Sequence, residues 1–329
     1  MTAIIILNWN GAADTIECLQ SLQHVQEDYF CVVADNGSQE DSIRQIEQYL
    51  HTLGCTHRIM NRGEQLDKQP TKHEIILYKM GENLGFAKGN NEALRLLSPF
   101  APDHYLLLNN DTIVEPSFLQ SLQNFSKEHP DIQALTPLIC YHYDHNIVWN
   151  AGGKQFFGLR KYYYAKQPVQ DIKESGHIIV TFLTGCALFF TPQLLREDGG
   201  IFTEDFFFGE EDFNFCLRMN QQKQKMACVL TSMIYHKVSA SVTNRDSLGK
   251  TYIYYLNRFI DMRLHYHNNL YYHIWAWLYP LYICLLLHKL GYSLKTSFKF
   301  ISKVICQSRK QTSVSQQDFI SAITAFHLS

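Results

Sequence analysis

Over the first third of the chain, apolar residues come in short unbroken runs, and most of these runs end on a polar cluster. Thr2 to Leu7 reads as a strand buried on both faces, ending at Asn8-Trp9-Asn10-Gly11. Phe30 to Ala34 leads in the same way to Asp35-Asn36-Gly37-Ser38, and Tyr105 to Leu108 leads to Asn109-Asn110-Asp111. Ile75 to Tyr78 is a further strand. Between these runs the period lengthens. Asp14 to Leu22 places Ile16, Leu19 and Leu22 on one helical side, and helices are expected over about Asp41 to Leu50 and from Gly85 through Leu97. Unbroken apolar strands alternating with helices predict an α/β fold, with a mostly parallel sheet covered by helices on both faces. Such sheets bind ligands beyond the carboxyl ends of their strands, which is where the three polar clusters fall.

The remainder is less regular. Asn61 to Glu74 is polar and charged and reads as a surface insertion. Tyr141 to Val180, with Gly152-Gly153 and Tyr162-Tyr163-Tyr164, mixes strands and loops. An apolar strand, Met226 to Leu230, precedes Ile234-Tyr235-His236-Lys237.

Composition narrows the picture. The chain has 329 residues, 46% of them hydrophobic, enough for a sizeable globular core, and its formal net charge of -2 gives no basic footprint for nucleic acid. Nine cysteines, an odd number with no C-x-x-C pair and mostly inside apolar runs, read as free buried thiols in a reducing compartment. Met1-Thr2 runs straight into Ala3-Ile4-Ile5-Ile6-Leu7 without a basic leader, so a cytoplasmic location is expected.

Three stretches carry candidate chemistry. In Glu82 to Glu92, Gly85 and Gly89 bracket a helix start whose free N–H groups suit phosphate; an ordinary strand-to-helix turn fits equally. Asp111, at the end of a buried strand, suits Mg²⁺ or Mn²⁺, or it caps a turn before Pro116. Glu210-Glu211-Asp212 follow Phe206-Phe207-Phe208 and open a helix through Phe213, Cys216 and Leu217. A carboxylate beside such apolar residues can be tuned upward as a general base; a solvated helix start is the plainer reading. His236, taken alone, is an ordinary histidine.

In order and spacing these clusters, together with Asn83-Leu84-Gly85-Phe86-Ala87-Lys88-Gly89-Asn90-Asn91, Thr184-Gly185-Cys186 and Arg218, resemble family 2 glycosyltransferases, and among them the rhamnosyltransferase-like branch, over roughly residues 2 to 265. The resemblance implies a two-lobed GT-A fold and inverting sugar transfer from a nucleotide-diphosphate donor with a UDP or dTDP nucleotide, rhamnose among its sugars. It implies that Asp35 contacts the base, that Asn8, Asn10 and Asn110 line the nucleotide site, and that Asn83 and Lys88 flank the donor. Asp111 matches the last acid of the D-x-D metal signature, with His236 completing the Mg²⁺ or Mn²⁺ site. Asp212 matches the catalytic base with Glu211 beside it, and Thr184, Gly185 and Cys186 fall on the acceptor side. Two positions depart from the pattern: Asn109 stands where the signature begins with Asp, and Asn214 replaces an Asp two residues after the base.

The expected organisation is a nucleotide-sugar half over 1–115, a metal-completing and acceptor half over 116–265, and a helical extension over 266–329. Leu270 to Leu287 carries no formal charge but holds two tryptophans, four tyrosines and Pro280, a mix suited to a membrane interface. Behind it, Leu294, Phe298, Ile301 and Ile305 share a helical stripe flanked by Lys295, Lys299 and Lys303. Docking on an anionic membrane face is expected, with a glycan or lipid-linked acceptor of surface polysaccharide synthesis. Two alternatives are a sugar nucleotidyltransferase, disfavoured because Asn8-Trp9-Asn10-Gly11 lacks a Gly-rich basic loop, and a non-catalytic sugar-nucleotide binder, disfavoured by Asp111 and Asp212.

Overall fold

The computed structural model describes residues 1–238 and 248–324. Its first part alternates β1 (Thr2–Asn8), α1 (Ala12–Leu22), β2 (Tyr29–Asp35), α2 (Glu40–Leu53), β3 (His57–Asn61), β4 (Ile75–Lys79), α3 (Phe86–Leu96) and β5 (His104–Asn109). The strands lie side by side in the order β5-β1-β2-β4-β3, all parallel. β1 and β2 are buried on both faces because the two core layers lie on opposite sides of them, as their unbroken apolar runs require. The sequence pattern does not reveal β3. It is the edge strand, and only Met60 of its five residues is fully buried. The loop after it is pinned by Glu74, which is buried and paired with Arg58.

Beyond β5 the sheet changes character. β6 (Thr112–Val114), α4 (Phe118–Glu128), β7 (Ile132–Tyr141), β8 (Asp144–Asn150), β9 (Gly153–Phe156), β10 (Leu159–Tyr162), β11 (His177–Val180), β12 (Ala187–Phe190), α5 (Glu211–Gln221) and β13 (Lys225–His236) follow. β12 runs antiparallel between β5 and β7, β13 is parallel to β7, and β11 is an antiparallel edge. The parallel half thus continues into a mixed half without a break. β9 and β10 form a separate two-stranded hairpin. β13 extends well past the Met226–Leu230 run through an irregularity between Val229 and Met233. That extension brings His236 opposite Thr112.

The last part is helical: α6 (Leu248–Tyr266), α7 (Leu270–Lys289), α8 (Leu294–Lys310) and α9 (Gln316–Thr324). These helices share one core with Phe206, Phe213 and Leu217. On α7 the buried residues Trp275, Tyr279, Ile283 and Leu287 recur every fourth position. Its opposite face leaves Leu270, Ile274, Trp277, Leu281 and Leu285 exposed. On α8 the expected stripe divides: Ile301 enters the core, while Leu294 and Phe298 stay outside beside Lys295 and Lys299. α7 is the one helix among the described residues long and apolar enough to cross a membrane.

A single buried asparagine ties the α3 region to the mixed half. Asn91 accepts from the amides of Ile201 (2.9 Å) and Phe202 (3.1 Å) and donates to the Phe202 carbonyl (3.0 Å) and Glu204 (3.0 Å). Asn91→Leu keeps the size but orphans these groups. Chemical denaturation is expected to show a loss of about 2–4 kcal/mol.

Candidate active site

The polar loops at the ends of β1, β2 and β5 meet because parallel strands start and finish together. Asn8 donates to Asp35 (2.8 Å) and Ser38 (3.1 Å), and it accepts from Thr15 (2.9 Å) and the Gly11 amide (3.2 Å). The second oxygen of Asp35 accepts from the Ser38 amide (3.1 Å). Asn8 and Asp35 are both fully buried, so their polar atoms fasten the two loops to each other. Asn10 accepts from the Gln39 amide (2.8 Å) while its side of the loop stays exposed. Asn110 donates to the Gly11 carbonyl (3.3 Å) and Thr15 (3.1 Å), joining the third loop. Asn83 accepts from the Gly85 amide (2.9 Å) and Asn36 (3.1 Å). Lys88 lies half-buried in the first turn of α3. Gly85 caps that helix with φ +82, and a Cβ there would sit 2.1 Å from the Phe207 carbonyl oxygen. Only glycine lets the two loops touch at this point.

A second group surrounds a cleft of about 220 Å³. Thr184, Gly185 and Cys186 form one wall, Glu210, Glu211 and Asp212 another, and Phe86, Trp149, Tyr162, Phe208 and Tyr254 supply aromatic faces. Asp212 is thus brought together with the Thr184–Cys186 segment from a distant part of the chain. Its carboxylate accepts from Arg160 Nη1 at 3.1 Å. Burial raises the Asp212 pKa, the Arg160 charge opposes this, Glu210 adds to it, and the net shift is upward. Glu211 is pushed up to about 8, first by burial and then by the Asp212 charge. The two neighbours therefore differ in role: Asp212 keeps a cationic partner, and Glu211 is the more readily protonated. Asn214 points away from the cleft and donates to Asp261 (2.6 Å) on α6.

Asp111 and His236 form a pair at the edge of this cleft, with His236 Nε2 3.0 Å from Asp111 Oδ1. Trp149, a cleft residue, stands edge-on to the His236 ring at 4.5 Å. Burial lowers the His236 pKa, but Cys186 and Asp111 outweigh it and raise it to about 10. One carboxylate and one imidazole suit Mn²⁺ or Mg²⁺ if diphosphate oxygens and water supply the other ligands. Among the described residues no cluster of three or more His, Cys, Asp or Glu side chains could hold an ion without such help. Asn109, in place of an acid, lines the cleft, and its backbone N–H donates to the Cys186 carbonyl (2.8 Å).

The sequence pattern singled out neither Arg160, Arg258, Trp149 nor Tyr254. Their signal is spatial, because each comes from an element that carries no motif.

Comparison with known families gives one decisive match: the description Glycosyl transferase family 2 covers residues 3–190, more than half of the chain. The chain belongs to glycosyl transferase family 2. No curated protein sequence matches it. Among solved structures this glycosyltransferase is similar to the mannosyltransferase PcManGT from Pyrobaculum calidifontis in complex with GDP-Man and Mn²⁺, at 14% identity and a TM-score of 0.52, over 98% of this chain and 85% of that one. It is also similar to GalNAc-T7 with UDP, GalNAc and Mn²⁺, at 12% identity and a TM-score of 0.56, over 94% of this chain and 56% of that one. At these identities the likeness is one of fold, and it is the GT-A fold that the glycosyltransferase adopts.

The contact at Gly85 provides a test of how the site is assembled. Gly85→Ala is expected to cost more than about 1 kcal/mol and to lower the melting temperature by several degrees, read by calorimetry.

Proposed function

We propose that this glycosyltransferase transfers a sugar from a UDP- or dTDP-sugar, rhamnose among the donors, to a hydroxyl of a glycan or lipid-linked acceptor, inverting the anomeric centre. The observation that carries this reading is the convergence of Asp212, the Thr184–Cys186 wall and the neighbouring Asp111–His236 pair around one cleft. Asp212 accepts the proton of the acceptor hydroxyl, and the oxygen bonds to the anomeric carbon as the nucleoside diphosphate departs from the opposite face. Asp111 and His236 would hold a divalent cation, which would supply positive charge to the leaving diphosphate. His236 would bind such a cation as the neutral imidazole. The aromatic faces of Trp149, Tyr162, Phe208 and Tyr254 suit the apolar side of a sugar ring.

The outer face of α7 and its continuation on α8 support a location at a membrane surface. Leu270, Ile274, Trp277, Leu281 and Leu285 form an exposed apolar face, and Lys295, Lys299, Arg309 and Lys310 are exposed on the next helix. Apolar contact combined with cations is the pattern of monotopic attachment to anionic lipid. This surface supports our reading that the enzyme works at the cytoplasmic face of a membrane, in assembly of a surface polysaccharide.

Three experiments test these readings. Asp212→Asn is expected to lower transfer by about 100-fold or more with donor affinity kept, measured as nucleoside diphosphate release with a panel of UDP- and dTDP-sugars plus Mn²⁺. Retention of more than about a tenth of the rate would remove Asp212 from the role. Asp111→Ala is expected to weaken donor binding in Mn²⁺ but not in EDTA; equal calorimetric titrations in both would refute the metal assignment. A Trp277→Glu, Leu281→Glu protein is expected to lose flotation with phosphatidylserine vesicles, and unchanged flotation would reject the α7 face.

A further inference from the structure

Arg160 belongs to none of the motifs and lies outside the strand-end network, yet it touches the carboxylate assigned as base. It stands on β10, and its guanidinium spans two acids: Nη1 donates to Asp212 Oδ1 (3.1 Å) and Nη2 to Glu210 Oε1 (3.1 Å). Glu210 has a fully buried side chain and precedes α5 in a left-handed conformation, φ +71. A buried carboxylate of this kind persists only when paired, and Arg258 on α6 supplies the second partner. Arg258 Nε donates to Oε2 (2.9 Å), and its Nη2 reaches Oε1 (2.7 Å) and Oε2 (2.8 Å). Arg258 Nη1 then donates to the Tyr279 hydroxyl (2.9 Å) on α7. A continuous polar chain therefore runs Tyr279–Arg258–Glu210–Arg160–Asp212.

The hairpin carrying Arg160 has its own anchor on the same helix. Gly158 turns with φ +67, and a Cβ there would lie 2.3 Å from the Trp275 indole nitrogen. The adjacent Phe157 ring stands edge-on to Tyr271 at 5.6 Å. Backbone and guanidinium of the Arg160 strand are thus both fixed from α7.

We propose that Arg160 is a positioning residue for Asp212, aimed through Glu210 and Arg258 and anchored on α7, so that the helical bundle sets the geometry and charge of the proton acceptor. This rests on the reading of Asp212 as base. The groups facing Asp212 are Arg160 and Tyr162 from β10, Glu210, Glu211 and Cys216 from α5 and its cap, and Tyr254 from α6, with Arg258 behind Glu210. Burial first, and then Glu210, favour protonation of Asp212, and its contacting guanidinium opposes them. A side chain acting only as structural filler would have no such effect on the titration.

The full-length protein, labelled with ¹³C at its Asp side-chain carboxyls, is titrated by NMR, with Asp212 assigned by the signal lost in Asp212→Asn. Arg160→Gln is expected to raise the Asp212 midpoint by about one unit or more; an unchanged midpoint overturns the proposal. In the nucleoside diphosphate release assay, kcat is expected to fall on the order of tenfold with donor KM little changed, and the acid limb to move to higher pH. A raised donor KM with kcat intact would make Arg160 a donor ligand and end the positioning role. Added to Asp212→Asn, Arg160→Gln should cost nothing further, because it acts through the missing carboxylate. Arg160→Lys keeps the charge without the two-pronged geometry. It serves if the Gln variant misfolds: the midpoint should stay near wild type while kcat drops, and a wild-type kcat would overturn the proposal. An Asp212→Asn enzyme that keeps its rate removes the base assignment instead, while the NMR midpoint still reports separately on the Arg160 contact.

Discussion

Three consecutive carboxylates at the mouth of one helix are costly to bury, and much of the cleft's architecture compensates for that cost. Glu210 has no solvent at all and takes its hydrogen bonds from two arginines. Taking one partner from a buried ion pair typically costs about 3–5 kcal/mol, so neither arginine is an incidental neighbour. Arg258 requires α6 to lie against the start of α5, and Arg160 requires the β9–β10 hairpin to reach over the cleft. The helical bundle and the hairpin therefore help to build the candidate cleft, although neither adds a strand to the main sheet.

The strand-end loops follow a different economy. There the polar groups share their bonds: buried Asn8, Thr15 and Asp35 and half-buried Ser38 and Asn110 form one linked hydrogen-bond set. The rim is stiffened before any ligand arrives, as preorganised binding requires.

How much of this the sequence reveals depends on the range of the interaction. β1, β2, β4 and β5 are legible because an interior parallel strand is apolar at every position, and the polar residues after each one identify the rim. Asp111 and Asp212 stand out through their place at the end of an apolar strand and at the start of a helix. The edge strand β3 has no such run, and the hairpin residues Lys154 to Tyr162 alternate too weakly to declare themselves. Arg160 and Arg258 look like surface cations in one dimension, since their partner Glu210 lies about fifty positions away in each case. The acid run itself is visible, but nothing in it says which member is sealed, which is paired and which faces the cleft. α6 escapes the pattern for a similar reason: its mixed polar and aromatic faces each meet a different neighbour.

The strand β12 has a mechanical consequence. It bonds on one side to β5, from the parallel half of the sheet, and on the other to β7, from the mixed half. The two halves are thus stitched by a shared ladder rather than joined by a flexible link, and bending between them would mean breaking interior sheet hydrogen bonds. Substrates must therefore be embraced by rearrangement of side chains and rim loops around a stiff platform, in place of the jaw-like rotation open to enzymes with separate lobes.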